Sequence, residues 1–164
     1  MTEFDRQIFA LLREGRSVVV RAEGRSMHPF LRPGDAVVIR PLREGEGIVA
    51  GELVLVEREG GRPVLHRVLL PGRSLVVKGD ALLGADLPFP RERVAGKASE
   101  LRRAGGRGHA LETASARRRN AWIARFSGWE SLSAGLLPAF ARRSELLRRL
   151  IRAPKWLLVR ALFP

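Results

Sequence analysis

The sequence predicts a mainly β protein: a small β barrel preceded by a short N-terminal helix and followed by a helical, basic C-terminal extension. Three observations carry this expectation. Short runs rich in Val, Leu and Ile, each bounded by Gly or Pro, recur through the first hundred residues. Helical spacing of apolar residues is confined to the two ends of the chain. The positive charge also sits at one end: residues 1–100 carry 16 Lys+Arg against 14 Asp+Glu, whereas residues 101–164 carry 14 against 3.

In chain order, Phe4, Ile8, Leu11 and Leu12 place an amphipathic helix over residues 2–14, which Gly15 stops. Strands are expected at Ser17–Glu23, Asp35–Arg40, Glu52–Glu57, Pro63–Leu70, Ser74–Lys78 and Arg93–Leu101. Gly60-Gly61 and Pro71-Gly72 mark hairpin turns between them. Such closely spaced short strands fit a small barrel or paired sheets. Residues 104–120 lack periodicity and read as a linker. The expected division is therefore a β domain over 1–103, a linker over 104–120 and a basic amphipathic tail over 121–164. In the tail, Trp122, Ile123 and Phe126 suggest one apolar face; Leu146, Leu147, Leu150 and Ile151 suggest another, with Pro138 and Pro154 as breaks.

Composition narrows the chemistry. With 45% hydrophobic residues in 164, a packed core is available. The absence of cysteine excludes disulfides, a thiol nucleophile and thiolate-ligated metal. His28, His66 and His109 are too far apart for a two-histidine zinc helix, so no metal or cofactor is expected. The N-terminal residues lack an apolar secretory core, and no run of about 20 apolar residues could span a bilayer. The expected location is cytoplasmic, peripheral at most to the inner membrane surface. The basic tail calls for an anionic partner. Trp156, Leu157, Leu158, Leu162 and Phe163, beside Lys155 and Arg160, have the composition of an interfacial segment, so an anionic membrane surface meeting residues 121–164 is expected. Nucleic acid is the weaker alternative, because no recognised binding motif accompanies the charge.

The segment Gly24–Arg40, GRSMHPFLRPGDAVVIR, holds the first candidate for chemistry. Ser26 lies in a Gly-containing turn between a Val-rich strand and a Pro-Gly-Asp turn, a setting that presents a hydroxyl exposed yet held. A serine needs a base, and an imidazole with a pKa of about 6.5 suits that task at neutral pH. His66 supplies it from LHRV, Leu65–Val68. A carboxylate must then fix the imidazole tautomer. Either Asp80 or Asp86, both in VVKGDALLGAD (Val76–Asp86), could serve.

These boxes resemble the S24/S26 group of serine peptidases, specifically the signal-peptidase branch of archaea, the endoplasmic reticulum and some Gram-positive bacteria. The ordered boxes are Gly24–Pro29, Gly34-Asp35, Gly51-Glu52, His66-Arg67 and Lys78–Asp86, and the likeness spans residues 17–98. It implies a barrel like that of signal peptidases and self-cleaving SOS repressors, and endopeptidase activity after small residues. Histidine at position 66, where the bacterial enzymes carry lysine, implies the Ser-His version, with Lys78 not the base. The pattern further implies that Asp86 orients His66 while Asp80 supports the turn beside Gly79.

Two departures bear on activity. Family members usually carry Ser or Thr two residues before the nucleophile to hold the oxyanion, and this chain has Gly24. The oxyanion would then rely on backbone N–H groups, chiefly that of Ser26, with Arg25 as the alternative donor. The anchor that normally precedes the serine box is also missing from the sequence, which favours a dedicated peptide or precursor protein as substrate. A catalytically weak peptidase-fold binding module is the alternative reading, followed by a basic nucleic-acid-binding protein. Ala114-Ser115-Ala116 has the small-x-small form of a self-cleavage site, without the apolar stretch that should precede it. His28 and His109 read as exposed turn and linker residues, and Met27 as a core side chain behind the turn.

Overall fold

The structure, a computed structural model, describes residues 2–106, 108–136, 153, 157 and 159. Helix α1 (Glu3–Arg13) starts on a capping box in which the Thr2 hydroxyl accepts from the Asp5 N–H and the Asp5 carboxylate accepts from the Thr2 N–H. Its inward residues Ile8, Phe9 and Leu12 are buried. Strands β1 (Val18–Arg21), β2 (Ala36–Arg40), β3 (Leu53–Glu57), β4 (Pro63–Leu70) and β5 (Ser74–Lys78) follow where Gly and Pro punctuate the apolar runs. The chain then forms β6 (Phe89–Pro90), β7 (Val94–Arg102), β8 (Gly108–Ala110) and helix α2 (Ala114–Leu136).

The strands make one mainly antiparallel sheet in the order β1-β2-β7-β3-β4-β5-β6, curled into a half-barrel. Strand β7 joins its two parts: Lys97 pairs with Arg40 of β2 on one edge and Val54 of β3 on the other. Strand β8 continues the β3 side, with His109 opposite Leu101. Strand β3 shows why its Leu-Val-Leu-Val run does not alternate in polarity. Leu53 and Leu55 face one apolar cluster, with α1, Met27, Phe30, Ile39 and Leu101; Val54 and Val56 face the other, with Val68, Leu75, Val77 and Phe89. A strand covered on both sides needs apolar residues at every position.

The second half of the chain differs from expectation. Residues 104–120 are not a free linker: they contain β8, the buried Leu111 and Ala116, and the start of α2. Glu112 ties this segment to the sheet through Arg40, whose guanidinium also binds Glu46; these part-buried contacts hold the Glu46 carboxyl well below the ordinary range and lower that of Glu112. Ala114-Ser115-Ala116 lies in the first turn of α2 and not in the extended form a peptidase reads, which argues against self-cleavage there. Trp122 of α2 is exposed and Ile123 is buried, so they do not share an apolar face. The proposed face around Leu146, and Trp156, Leu158, Leu162 and Phe163, lie outside the described residues. No helix among the described residues is long and apolar enough to cross a membrane.

Candidate active site

Ser26, His66 and Asp86 come from the turn after β1, the middle of β4 and the loop after β5. The Ser26 turn is closed by the His28 N–H donating to the Arg25 carbonyl at 3.1 Å and by Leu31 donating to Met27 at 2.9 Å. Met27, Phe30 and Leu31 anchor it in the core, so the turn is held from beneath by packing. Its other attachment is to the site loop, where the Ala81 N–H donates to the Ser26 carbonyl at 2.7 Å.

Gly79 lies at the junction. A Cβ there would sit 2.7 Å from the Ser26 carbonyl oxygen and 3.0 Å from His66 Nε2. The serine turn and the imidazole therefore converge on one point, and only glycine permits the approach. Ser26 is half-buried, and its hydroxyl makes no hydrogen bond to His66 among the described residues.

His66 is buried, 3% exposed, and its Nδ1 is hydrogen-bonded to Asp86 Oδ2. The other Asp86 oxygen accepts from the Arg58 guanidinium. Burial of the ring pushes the His66 pKa below its ordinary 6.5, the negative charge and hydrogen bond of Asp86 oppose that, and the positive charge of Arg58 adds to the lowering. The imidazole is neutral at neutral pH with Nε2 turned toward the serine turn, the state required of a general base.

Asp80 is placed differently. Both its oxygens are taken by Arg67, through Nε at 2.9 Å and Nη2 at 2.7 Å. Arg67 is fully buried; it also donates to the Gly51 carbonyl at 3.0 Å and the Asn120 side chain at 3.2 Å, and lies 4.6 Å over the Phe30 ring. One guanidinium thus joins the site loop, the serine turn, the approach to β3 and helix α2. Asp80 belongs to this brace, and of the two aspartates it is Asp86 that meets His66.

The remaining boxes are structural. Asp35 accepts from Arg103, the Arg32 N–H and the Ala104 N–H. Glu52 pairs with Lys97 at 2.7 Å. Lys78, fully buried, donates to the Ser127 carbonyl and pairs with Glu130 of α2, away from the role of base. His28 is exposed, with its pKa lowered by partial desolvation and by Arg32 and Arg25. His109 is half-buried in β8 rather than exposed in a linker.

Sequence reasoning missed Arg58, Asn120 and Glu130. Arg58 precedes the Gly60-Gly61 turn and carries no box of its own. Glu130 did leave a signal: acids are scarce after residue 100, and two of the three, Glu112 and Glu130, pair with cations of the β domain. Neither a protein-family model, nor a curated protein, nor a solved structure matches this chain.

Proposed function

We propose that the chain is a serine endopeptidase of the signal-peptidase-like type, acting on a peptide or precursor protein after small residues. The observation that carries this reading is the convergence on Gly79 of the Ser26 turn and the Nε2 of an imidazole whose Nδ1 is bonded to Asp86. The half-barrel sheet is compatible with the barrel that such enzymes use.

In this reading His66 Nε2 takes the Ser26 proton as Oγ attacks the scissile carbonyl carbon. Asp86 keeps the Nδ1 proton in place and stabilises the imidazolium that forms. The tetrahedral oxyanion is held by backbone N–H groups, chiefly that of Ser26, since Gly24 offers no hydroxyl. His66 then returns the proton to the leaving amine, and water repeats the sequence to release the acyl group from Ser26.

One observation favours a binding module instead: the Ser26 hydroxyl is not hydrogen-bonded to His66 among the described residues. A fluorophosphonate probe separates the two readings, because only an activated serine is phosphonylated. The peptidase reading requires labelling at Ser26 that disappears in Ser26→Ala and falls sharply in His66→Ala, with both variants folded at the assay temperature. Absence of labelling in the folded parent leaves only the binding module.

A further inference from the structure

Helix α2 packs the wrong way round for a surface helix. Its buried side includes Asn120, Ser127 and Glu130 together with Ile123 and Ala124. The opposite side carries Arg118, Trp122, Arg125, Trp129 and Leu132, spaced alternately four and three residues apart, which is one continuous face of a helix. Trp122 is 54% exposed, Trp129 55% and Leu132 72%. The Arg125 guanidinium lies 5.1 Å over the Trp122 ring, beside the indoles and not away from them.

We infer that this face of α2 docks on the surface of an anionic bilayer. The occupant is identified by the chemistry of the face. Tryptophan is the residue that settles at the boundary between headgroups and acyl chains, where an apolar ring and a polar N–H are both accommodated. Arginines in the same row meet lipid phosphates. A second copy of the chain is a poor fit, since each carries a net charge of +13 and would present the same arginines. Single-stranded nucleic acid would use the arginines and indoles, but offers nothing to Leu132, the most exposed of the three apolar side chains. The inward polar residues explain how the face stays outward. Glu130 is paired with Lys78, and Asn120 accepts from Arg67, so turning the helix over would strand buried ionic groups. The inference stands apart from the peptidase reading.

The test uses the full chain with Trp156→Phe, which leaves Trp122 and Trp129 as the only tryptophans. Vesicles of equal parts phosphatidylcholine and phosphatidylglycerol should shift its emission to the blue, and brominated acyl chains should quench it; pure phosphatidylcholine should do neither. Trp122→Ser/Trp129→Ser/Leu132→Ser should lower co-sedimentation with the anionic vesicles by about tenfold or more. Arg118→Gln/Arg125→Gln should weaken it by a similar factor and reduce its salt dependence. An emission spectrum unchanged by anionic vesicles overturns the inference, as does co-sedimentation that the triple substitution leaves intact. A spectral change with a single-stranded oligonucleotide but none with vesicles also overturns it and assigns the face to nucleic acid.

Discussion

Asp86 holds His66 by its Nδ1 across twenty residues of chain, while Asp80, closer in sequence, is bound on both oxygens by Arg67. The two carboxylates of one loop therefore predict different failures. Asp86→Asn should lower kcat by roughly three to four orders of magnitude, because the amide fixes the wrong imidazole tautomer, with little change in melting temperature. Asp80→Asn should do the reverse in the first instance: it leaves a buried Arg67 without its counter-charge, at about 3–5 kcal/mol of stability. Measuring the rate of fluorophosphonate labelling beside the thermal melt of each variant separates them. A large loss of stability in Asp86→Asn would contradict the assignment.

The His66 environment fixes the direction of the pH dependence. Its pKa is lowered, chiefly by burial, so the active neutral form persists below 6.5 and activity falls only on further acidification. Arg58 contributes to that lowering through its positive charge and also grips Asp86. Arg58→Ala should move the acid limb of kcat/KM to higher pH and leave the alkaline side unaltered. The same lowering makes folding depend on pH. The unfolded chain binds the His66 proton at a higher pH than the folded one does, so this contribution is present above 6.5 and is lost as pH falls toward the folded value. A pH–rate profile of the two proteins on one peptide tests the shift; an acid limb that stays in place removes Arg58 from the site.

What was legible in the sequence follows from locality. The strands β1 to β5 and β7 were readable because each is a short apolar run closed by Gly or Pro, and the capped helix α1 because its spacing is periodic. The serine turn, the histidine and both aspartates were readable as residue types in an order. Which aspartate faces His66 depends on the path of the loop from Lys78 to Asp86, a matter of three-dimensional placement. Helix α2 was obscured for a physical reason: it buries Glu130 and Asn120 and exposes tryptophans, so its polarity does not follow the period of an ordinary amphipathic helix. Strand β8, three residues long, is defined by its pairing with β7 and by little in its own composition.

Two glycines of the site should respond in opposite ways. Nothing lies within 4 Å of a Cβ built on Gly24, and its backbone is not in the left-handed region, so a side chain there meets open space. Gly24→Ser should preserve the fold and raise kcat, by up to about a hundredfold if the new hydroxyl reaches the oxyanion. A Cβ on Gly79 would press on the Ser26 carbonyl and His66 Nε2. Gly79→Ala should therefore separate nucleophile from base and lower labelling of Ser26 by about a hundredfold or more, since small misplacements at a reacting centre are costly. Steady-state rates of both variants on one peptide decide the matter. Full activity in Gly79→Ala would show that the convergence at this glycine has no part in the chemistry.

The last prediction concerns what α2 does for the site from its inner side. Lys78 and Glu130 are both essentially inaccessible, and Ser131 Oγ donates to the Leu83 carbonyl at 3.0 Å, within the loop that carries Asp86. A buried ion pair contributes little net stability but punishes the loss of one partner. Glu130→Ala should thus cost about 3–5 kcal/mol and lower the melting temperature by about 6–20 °C. The double substitution Lys78→Met/Glu130→Leu removes both charges at similar volume and should recover most of that loss. If α2 only adds stability, activity below the melting point follows the fraction folded in both variants. If it also positions the Asp86 loop, the double variant recovers its melt but keeps a lowered kcat with KM unchanged, because Lys78 no longer fixes the end of β5 against the helix.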